Sequence, residues 1–225
     1  MKVTALIPYW LDYQKNDIGI HKNLKKLGGK YLINYSIKLL NSISNIHETV
    51  VFCSDDKIKN YIDDNLAYEF VQRDKLLDND NVSIDEVIKS YLDTTDTDIV
   101  VLLHPNSPFL TSNTVNECLS KVLSKEYDSA FTAYYFNKLS WYKGKPLNYS
   151  LDYPTPQTTE LNPVVIEQSS LYVFSRESFN LYNKRIGKTP YIWNINHFEG
   201  LEVSSQEDFE IAELIVNSGM YPKVI

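Results

Sequence analysis

Apolar residues early in the chain fall into short unbroken runs, separated by stretches where they recur three or four positions apart. VTALIP (3–8), ETVVFC (48–53), DIVVLL (98–103) and SAFTAY (129–134) are rich in β-branched residues and bounded by polar breakers, which predicts strands. The first three read as strands covered on both faces. Between them Ile33, Ile37 and Leu40 share one helical face, residues 83–92 predict a second helix, and TSNTVNECLSKVL (111–123) predicts a third. Strands alternating with helices predict right-handed crossovers and an α/β fold with a mainly parallel sheet between helical layers.

The pattern changes after Asp128. Residues 136–163 contain GKPLNY and then Pro154, Pro156 and Pro163, with little helical periodicity, so an arm or hairpin outside the sheet is expected there. PVVIEQSSLYVF (163–174) returns to strand. The chain closes on EGLEV and SQEDFEIAELIVNSG, a helix whose Phe209, Ala212 and Val216 share a face and whose Gly219 is a natural stop. No repeat or linker interrupts the 225 residues, which predict a single domain over 1–225 with an arm at about 136–163.

Charge narrows the partners. The formal net charge is −7, which argues against nucleic acid and anionic membranes, and no run approaches the roughly 18 apolar residues of a membrane span. MKVTALIPYW is too short and too soon interrupted for a signal peptide, so a cytoplasmic location is expected. Cys53 and Cys118 lack CxxC or Cys/His companions and read as two buried thiols. A polyanionic small ligand remains compatible where lysines, backbone amides or a metal ion oppose the global field.

In an open α/β sheet, ligands settle at the carboxyl ends of the strands, so the informative residues follow Pro8, Cys53 and Leu103. There stand IP…KNLKKLGGK, CSDD (53–56), RDKLLDNDNVSIDEV (73–87) and LLHPNSPFLT (102–111), followed by GKPLNY, NPVVIEQSSLYVFSRE and EDFEIAE. In this order they resemble the cytidylyltransferases that activate sialic acid and related ulosonic acids as CMP-sugars. The resemblance spans nearly the whole chain and implies the nucleotide-diphospho-sugar transferase type of fold, with a protruding dimerisation arm and a homodimer. It also implies CTP and an acidic sugar-like acceptor as substrates, and Mg²⁺ as cofactor.

Carried over position by position, the resemblance implies that Lys22 is the catalytic lysine. Pro8, Asn23, Arg73, Asp80, Pro105 and Ser107 would frame the nucleotide. Glu202 would be both a catalytic residue and the metal ligand. The acceptor region would include Gln157, Thr159, Glu167, Gln168 and Ser169. The chain also departs from the pattern. YWLDYQKNDIGIH replaces the usual arginine and serine of the first loop, leaving Gln14 and Lys15 as substitute donors and Tyr9, Trp10 and Tyr13 as a candidate aromatic lid. His104 and Asn106 replace the usual Gln and Thr; His104 counts with the nucleotide residues, and a structural hydrogen bond is its plainer role. Ser204 stands where the metal-binding pair has its second aspartate, and either Ser204 with Glu207 or Ser205 with Asp208 fits a capping box. Lys25, Lys26 and Lys30 read as a solvated face, and a surface ion pair is the alternative for Arg73.

The expected function is transfer of a nucleotidyl group from CTP to an acidic sugar, with release of pyrophosphate. Two alternatives stand beside it: a degenerate relative that binds a nucleotide or sugar without turnover, and a nucleotidyltransferase for another acceptor.

Overall fold

A computed structural model of the chain describes residues 1–11 and 24–219. In chain order its elements are β1 (Val3–Tyr9), β2 (Lys26–Leu27), β3 (Lys30–Tyr31), α1 (Leu32–Asn41), β4 (Glu48–Cys53), β5 (Glu69–Gln72), α2 (Ile84–Leu92), β6 (Ile99–Leu103) and α3 (Ser112–Leu123). There follow β7 (Ser129–Phe136), β8 (Trp141–Tyr142), β9 (Lys145–Pro146), β10 (Val164–Ser175), α4 (Arg176–Tyr182), β11 (Pro190–Asn194) and α5 (Gln206–Ser218).

Seven strands form one sheet in the order β11-β7-β10-β6-β1-β4-β5. β1 pairs in parallel with β4 and β6, β4 with β5, and β11 with β7. β10 alone breaks the rule, running antiparallel to both β6 and β7. The expected three-layer, mainly parallel sheet is therefore present. The alternation of β1 sends Val3, Ala5, Ile7 and Tyr9 to one face, where Ile33, Ile37 and Leu40 of α1 and Val115, Cys118, Leu119 and Val122 of α3 meet them. Leu6 faces the other side with Val50, Val100 and Leu102, under Val87, Ile88, Tyr91 and Leu92 of α2 and Phe179 of α4. Each fully buried Leu, Ile or Val side chain contributes about 1.5–3 kcal/mol by leaving water. Cys53 and Cys118 are free and buried in the first of these layers.

The helix boundaries follow their caps. The Ser83 hydroxyl accepts from Glu86 N–H while Glu86 Oε2 accepts from Ser83 N–H at 2.7 Å, a closed capping box before α2. Thr111 caps α3 and Ser205 caps α5, in a box closed by Asp208. Gly219, with φ of 65°, ends α5 in the left-handed conformation that glycine adopts most freely. The pair Gly28 and Gly29 makes the turn between β2 and β3, which delivers the chain into α1.

The edge strands β5 and β11, the two-residue strands β2 and β3 and the short helix α4 lie outside the sequence expectations. EGLEV forms no strand, so Glu202 sits in an irregular segment between β11 and α5 rather than at a strand end. That segment is pinned by buried Glu199, which accepts from Thr111 N–H at 2.9 Å and Thr111 Oγ1 at 2.6 Å, a carboxylate at the amino end of α3. Residues 137–163 lie outside the seven-stranded sheet and include the β8–β9 hairpin, with Trp141, Tyr142, Leu151 and Tyr153 exposed.

Truncation should rank these contributions. Leu102 is fully buried in the central sheet, so Leu102→Ala should cost about 2–5 kcal/mol. Ser83→Ala, which removes an exposed cap, should cost about 1 kcal/mol. Urea unfolding midpoints at unchanged slope check the order.

Candidate active site

The carboxyl ends of β1, β5 and β6 open onto one cavity of about 300 Å³, lined by Pro8, Trp10, Arg73, Leu77, Asn79, Asp80, Val82, Ile84, Val87 and His104. Four residues singled out in the sequence, Pro8, Arg73, Asp80 and His104, therefore meet although they come from three separate segments. Arg73 directly follows β5, and its N–H donates to Cys53 O at 2.9 Å, continuing the parallel ladder one residue further. Its guanidinium is buried and pairs with Asp78, which also accepts from Ser54 Oγ. The partner of Arg73 is thus Asp78, and exposed Asp80 is left at the cavity rim. Arg73 Nε is buried and has no protein partner among the described residues.

His104 caps the end of β6. Its N–H donates to Ser170 O at 3.4 Å, and its own carbonyl accepts from Ser107 N–H at 3.3 Å, so the HPNSP turn is tied to β10. Pro105 is buried in this turn. The Ser107 hydroxyl is buried and unpartnered among the described residues. Asn106 O accepts from Val203 N–H at 2.8 Å, which ties the turn to the segment carrying Glu202.

β10 carries the acceptor candidates. From Gln168 to Tyr172 the strand advances four residues while β7 advances one, from Thr132 to Phe131, so residues 169–171 bulge out. Glu167 and Tyr172 would lie on opposite faces of a regular strand, being an odd number of residues apart. The bulge restores their parity: they pair with Ala133 and Phe131, two apart on β7. Tyr172 Oη then donates to Glu167 Oε1 at 2.5 Å. On the other side of the bulge, Gln168 Nε2 donates to Gly200 O at 2.5 Å, and the backbone N–H of Ser169 donates to Glu202. Gly200 has no room for a side chain, since a Cβ would stand 2.5 Å from Tyr134 Oη.

Glu202 is mostly buried, and its Oε1 has no hydrogen-bond partner among the described residues. Burial pushes its pKa up against the opposing Ser169 N–H, and the Asp208 charge raises it further. A buried carboxylate oxygen without a counter-charge fits a cation ligand. Asp208 is engaged in capping α5 through Oδ2, which accepts from Ser204 N–H, Ser205 N–H and Ser205 Oγ. Among the described residues, no three His, Cys, Asp or Glu side chains cluster as a metal site. Among the described residues, Glu202 Oε1 is the carboxylate oxygen that is buried and unpartnered here, and phosphate and water oxygens would complete the shell of a metal it held.

Gln157 and Thr159 lie in the arm, around the 3-10 turn Thr158–Glu160, where Gln157 N–H donates to Glu160 Oε2. Gln14, Lys15, Lys22 and Asn23 fall outside the described residues. Two residues bordering the site were not singled out from sequence. Tyr172 was hidden within a strand that reads as plain core. Arg185, one of only three arginines, gave a signal in its rarity but none in its spacing.

His104 supplies a pH test. Burial, reinforced by the charge of Arg185, pushes its pKa down from about 6.5 to about 4. Below 6.5 the unfolded chain therefore takes up a proton that the folded chain refuses, so stability falls as pH drops from 6.5 towards 4 and is level above that window. Histidine NMR should place the His104 midpoint near 4. Comparing unfolding at about pH 7 and about pH 4.5, His104→Asn should show a smaller acid-side loss than wild type. A ring titrating at the ordinary value would contradict this environment.

Comparison with known proteins agrees with the geometry. A search of curated proteins by sequence finds no match. The bifunctional IspDF from Campylobacter jejuni superposes with a TM-score of 0.67 at 15% identity over 93% of this chain, which spans only 54% of that protein. The 4-diphosphocytidyl-2C-methyl-D-erythritol synthase from Anaerococcus prevotii gives 0.62 at 12% identity, covering 96% of both chains. CMP:2-keto-3-deoxy-manno-octonic acid synthetase complexed with CTP gives 0.60 at 15% identity, over 97% of this chain and 87% of the other. At these identities the likeness establishes the fold. The cytidylyltransferase family profile matches residues 20–191, well over half of the sequence. The chain belongs to the cytidylyltransferase family and is a CTP-dependent nucleotidyltransferase.

Proposed function

We propose that the enzyme joins CTP to a hydroxyl of an acidic, sugar-like acceptor, giving a CMP-sugar and pyrophosphate. The observation that carries this reading is the continuity of the site. The cavity of Pro8, Arg73, Asp80 and His104 is joined through the β10 bulge to Glu167, Gln168 and Glu202, whose Oε1 has no partner among the described residues. The names of two structural neighbours, a methylerythritol cytidyl synthase and a keto-deoxy-octonic acid synthetase, support a sugar-like acceptor.

In this reading the acceptor oxygen attacks the α-phosphorus, the bond from that phosphorus to the bridging oxygen breaks, and pyrophosphate leaves with the electron pair. The hydroxyl proton passes from the acceptor to water. Such a displacement needs positioning and charge stabilisation more than covalent chemistry. Arg73 and His104 wall the nucleotide cavity, with Ser107 in the turn beside it. Lys22, with Asn23, Gln14 and Lys15 in the same loop, is assigned to the phosphates on sequence alone. Glu202 is the residue that would hold Mg²⁺, which when bound supplies positive charge to the phosphate oxygens.

Pyrophosphate release from CTP, UTP, ATP and GTP should be screened against N-acetylneuraminate, 2-keto-3-deoxy-manno-octonic acid and 2-C-methyl-D-erythritol 4-phosphate. CTP should be preferred, and Lys22→Ala and Glu202→Gln should each lower the rate about tenfold or more. CTP binding without turnover of any acceptor would instead favour a binding-only relative.

The arm is proposed to reach a second copy of the chain. Leu139, Trp141, Tyr142, Leu147, Leu151 and Tyr153 stand 40–75% exposed on it, more apolar surface than a solvated flap requires. Sedimentation at micromolar concentration should show twice the 26.1 kDa chain mass. Trp141→Ser with Tyr142→Ser should shift the equilibrium towards monomer, and a wild-type species of single mass would refute the dimer.

A further inference from the structure

Arg185 lies outside the elements that line the nucleotide cavity, yet it binds two of the segments that shape it. Its Nη1 stands 3.4 Å from Asp85 Oδ1 and its backbone N–H donates to the same oxygen at 3.1 Å. Asp85 belongs to α2, between Ile84 and Val87, which face the cavity. Arg185 Nη2 stands 3.5 Å from Glu167 Oε1, the oxygen that already accepts from Tyr172 Oη. The guanidinium lies over the Tyr172 ring, 4.5 Å from its centroid. Arg185 and Asp85 are about three-quarters covered, whereas the Glu167 side chain is 43% exposed.

Two carboxylates around one guanidinium leave the cluster with a net negative charge. An acceptor carboxylate would have to displace Glu167 or Asp85 to reach Arg185. The exposed part of Glu167 offers the opposite chemistry, a carboxylate held at one oxygen by the Tyr172 hydroxyl and the nearby Arg185 charge, with the second oxygen available to a hydroxyl.

We propose that Arg185 is a positioning residue for acceptor recognition: with Tyr172 it locks Glu167 on the sheet face that α2 covers, so that this carboxylate reads hydroxyl groups of the acceptor and any acid group is read elsewhere. The inference rests on the proposed transfer to a sugar-like hydroxyl and names which feature of that acceptor meets this carboxylate. It also gives the β10 bulge a purpose, since without it Glu167 and Tyr172 would point to opposite faces.

The test measures CTP affinity by calorimetry and acceptor KM and kcat by pyrophosphate release, using whichever acceptor of the panel above the wild type turns over. Arg185→Ala, Arg185→Lys, Tyr172→Phe, Glu167→Gln and the Arg185→Ala/Glu167→Gln pair are compared. Arg185→Ala and Glu167→Gln should each raise acceptor KM about tenfold, with CTP affinity within about threefold of wild type. Arg185→Lys should recover part of the loss, and the double variant should be little worse than either single one. The sign of the Glu167→Gln effect separates the alternatives. Were Arg185 itself the reader of a carboxylate, neutralising Glu167 would release it and lower acceptor KM, which would overturn the proposal. Equal losses in CTP affinity and acceptor KM, or indifference of Tyr172→Phe and Arg185→Ala alike, would overturn it too. Turnover with indifferent variants sinks this inference alone, whereas a wild type that binds CTP but turns over no acceptor sinks the acceptor reading and this inference with it.

Discussion

One reversal of direction governs the site. β10 runs antiparallel between β6 and β7 in a sheet whose other pairings are all parallel. Parallel strands linked by helices bring only their carboxyl ends to the ligand side, so each contributes a loop. An antiparallel strand enters from that side instead, and its early residues stand at the same edge as the ends of its neighbours. That is why Gln168, Ser169 and Ser170, midway along β10, reach Gly200, Glu202 and His104. The antiparallel pairing with β7 also needs only a hairpin connection, and the arm occupies it.

The bulge in β10 then divides the labour between the two faces. Ser170 O fixes the backbone of His104, Ser169 N–H reaches Glu202, and the parity change brings Glu167 to Tyr172. Two separate segments thus depend on two adjacent backbone positions, Ser169 and Ser170. Ser170, whose hydroxyl is buried and unpartnered among the described residues, is held there by its place in the bulge and not by its side-chain chemistry.

Periodicity made the core of the fold legible. VTALIP, ETVVFC and DIVVLL carry unbroken apolar runs because they are buried on both faces, and the helices announce themselves by Ser83, Thr111 and Gly219. β5 and β11 escaped because edge strands are only half covered: Glu69–Gln72 and Pro190–Asn194 mix charged, polar and aromatic residues without a clean alternation. At the site, residues that close a strand, such as Pro8 and His104, were legible because the end of a strand marks them. Arg73 was legible as a cavity residue, but its partner was not, since Asp78 and Asp80 are equivalent in sequence and only the turn decides between them. The clamp of Arg185 on Glu167 joins residues that one spacing rule could not relate, because it depends on a bulge that leaves no local pattern.

Electrostatics completes the argument. Arg73 is matched by Asp78, Arg185 by Asp85 and Glu167, and His104 is kept neutral by burial. The described wall of the cavity therefore carries hydrogen-bonding shape with little uncompensated positive charge, on a protein whose net charge is already −7. Such a wall suits the uncharged parts of a nucleotide and acceptor, which are read by directional donors and acceptors and would gain little from a strong field. A triphosphate needs a different environment, and its counter-charge has to come from outside these groups. That is the physical content of giving the phosphates to Lys22 and to a cation on Glu202. Under the proposed function, recognition falls to these paired, rigid groups and charge stabilisation to Lys22 and a cation on Glu202.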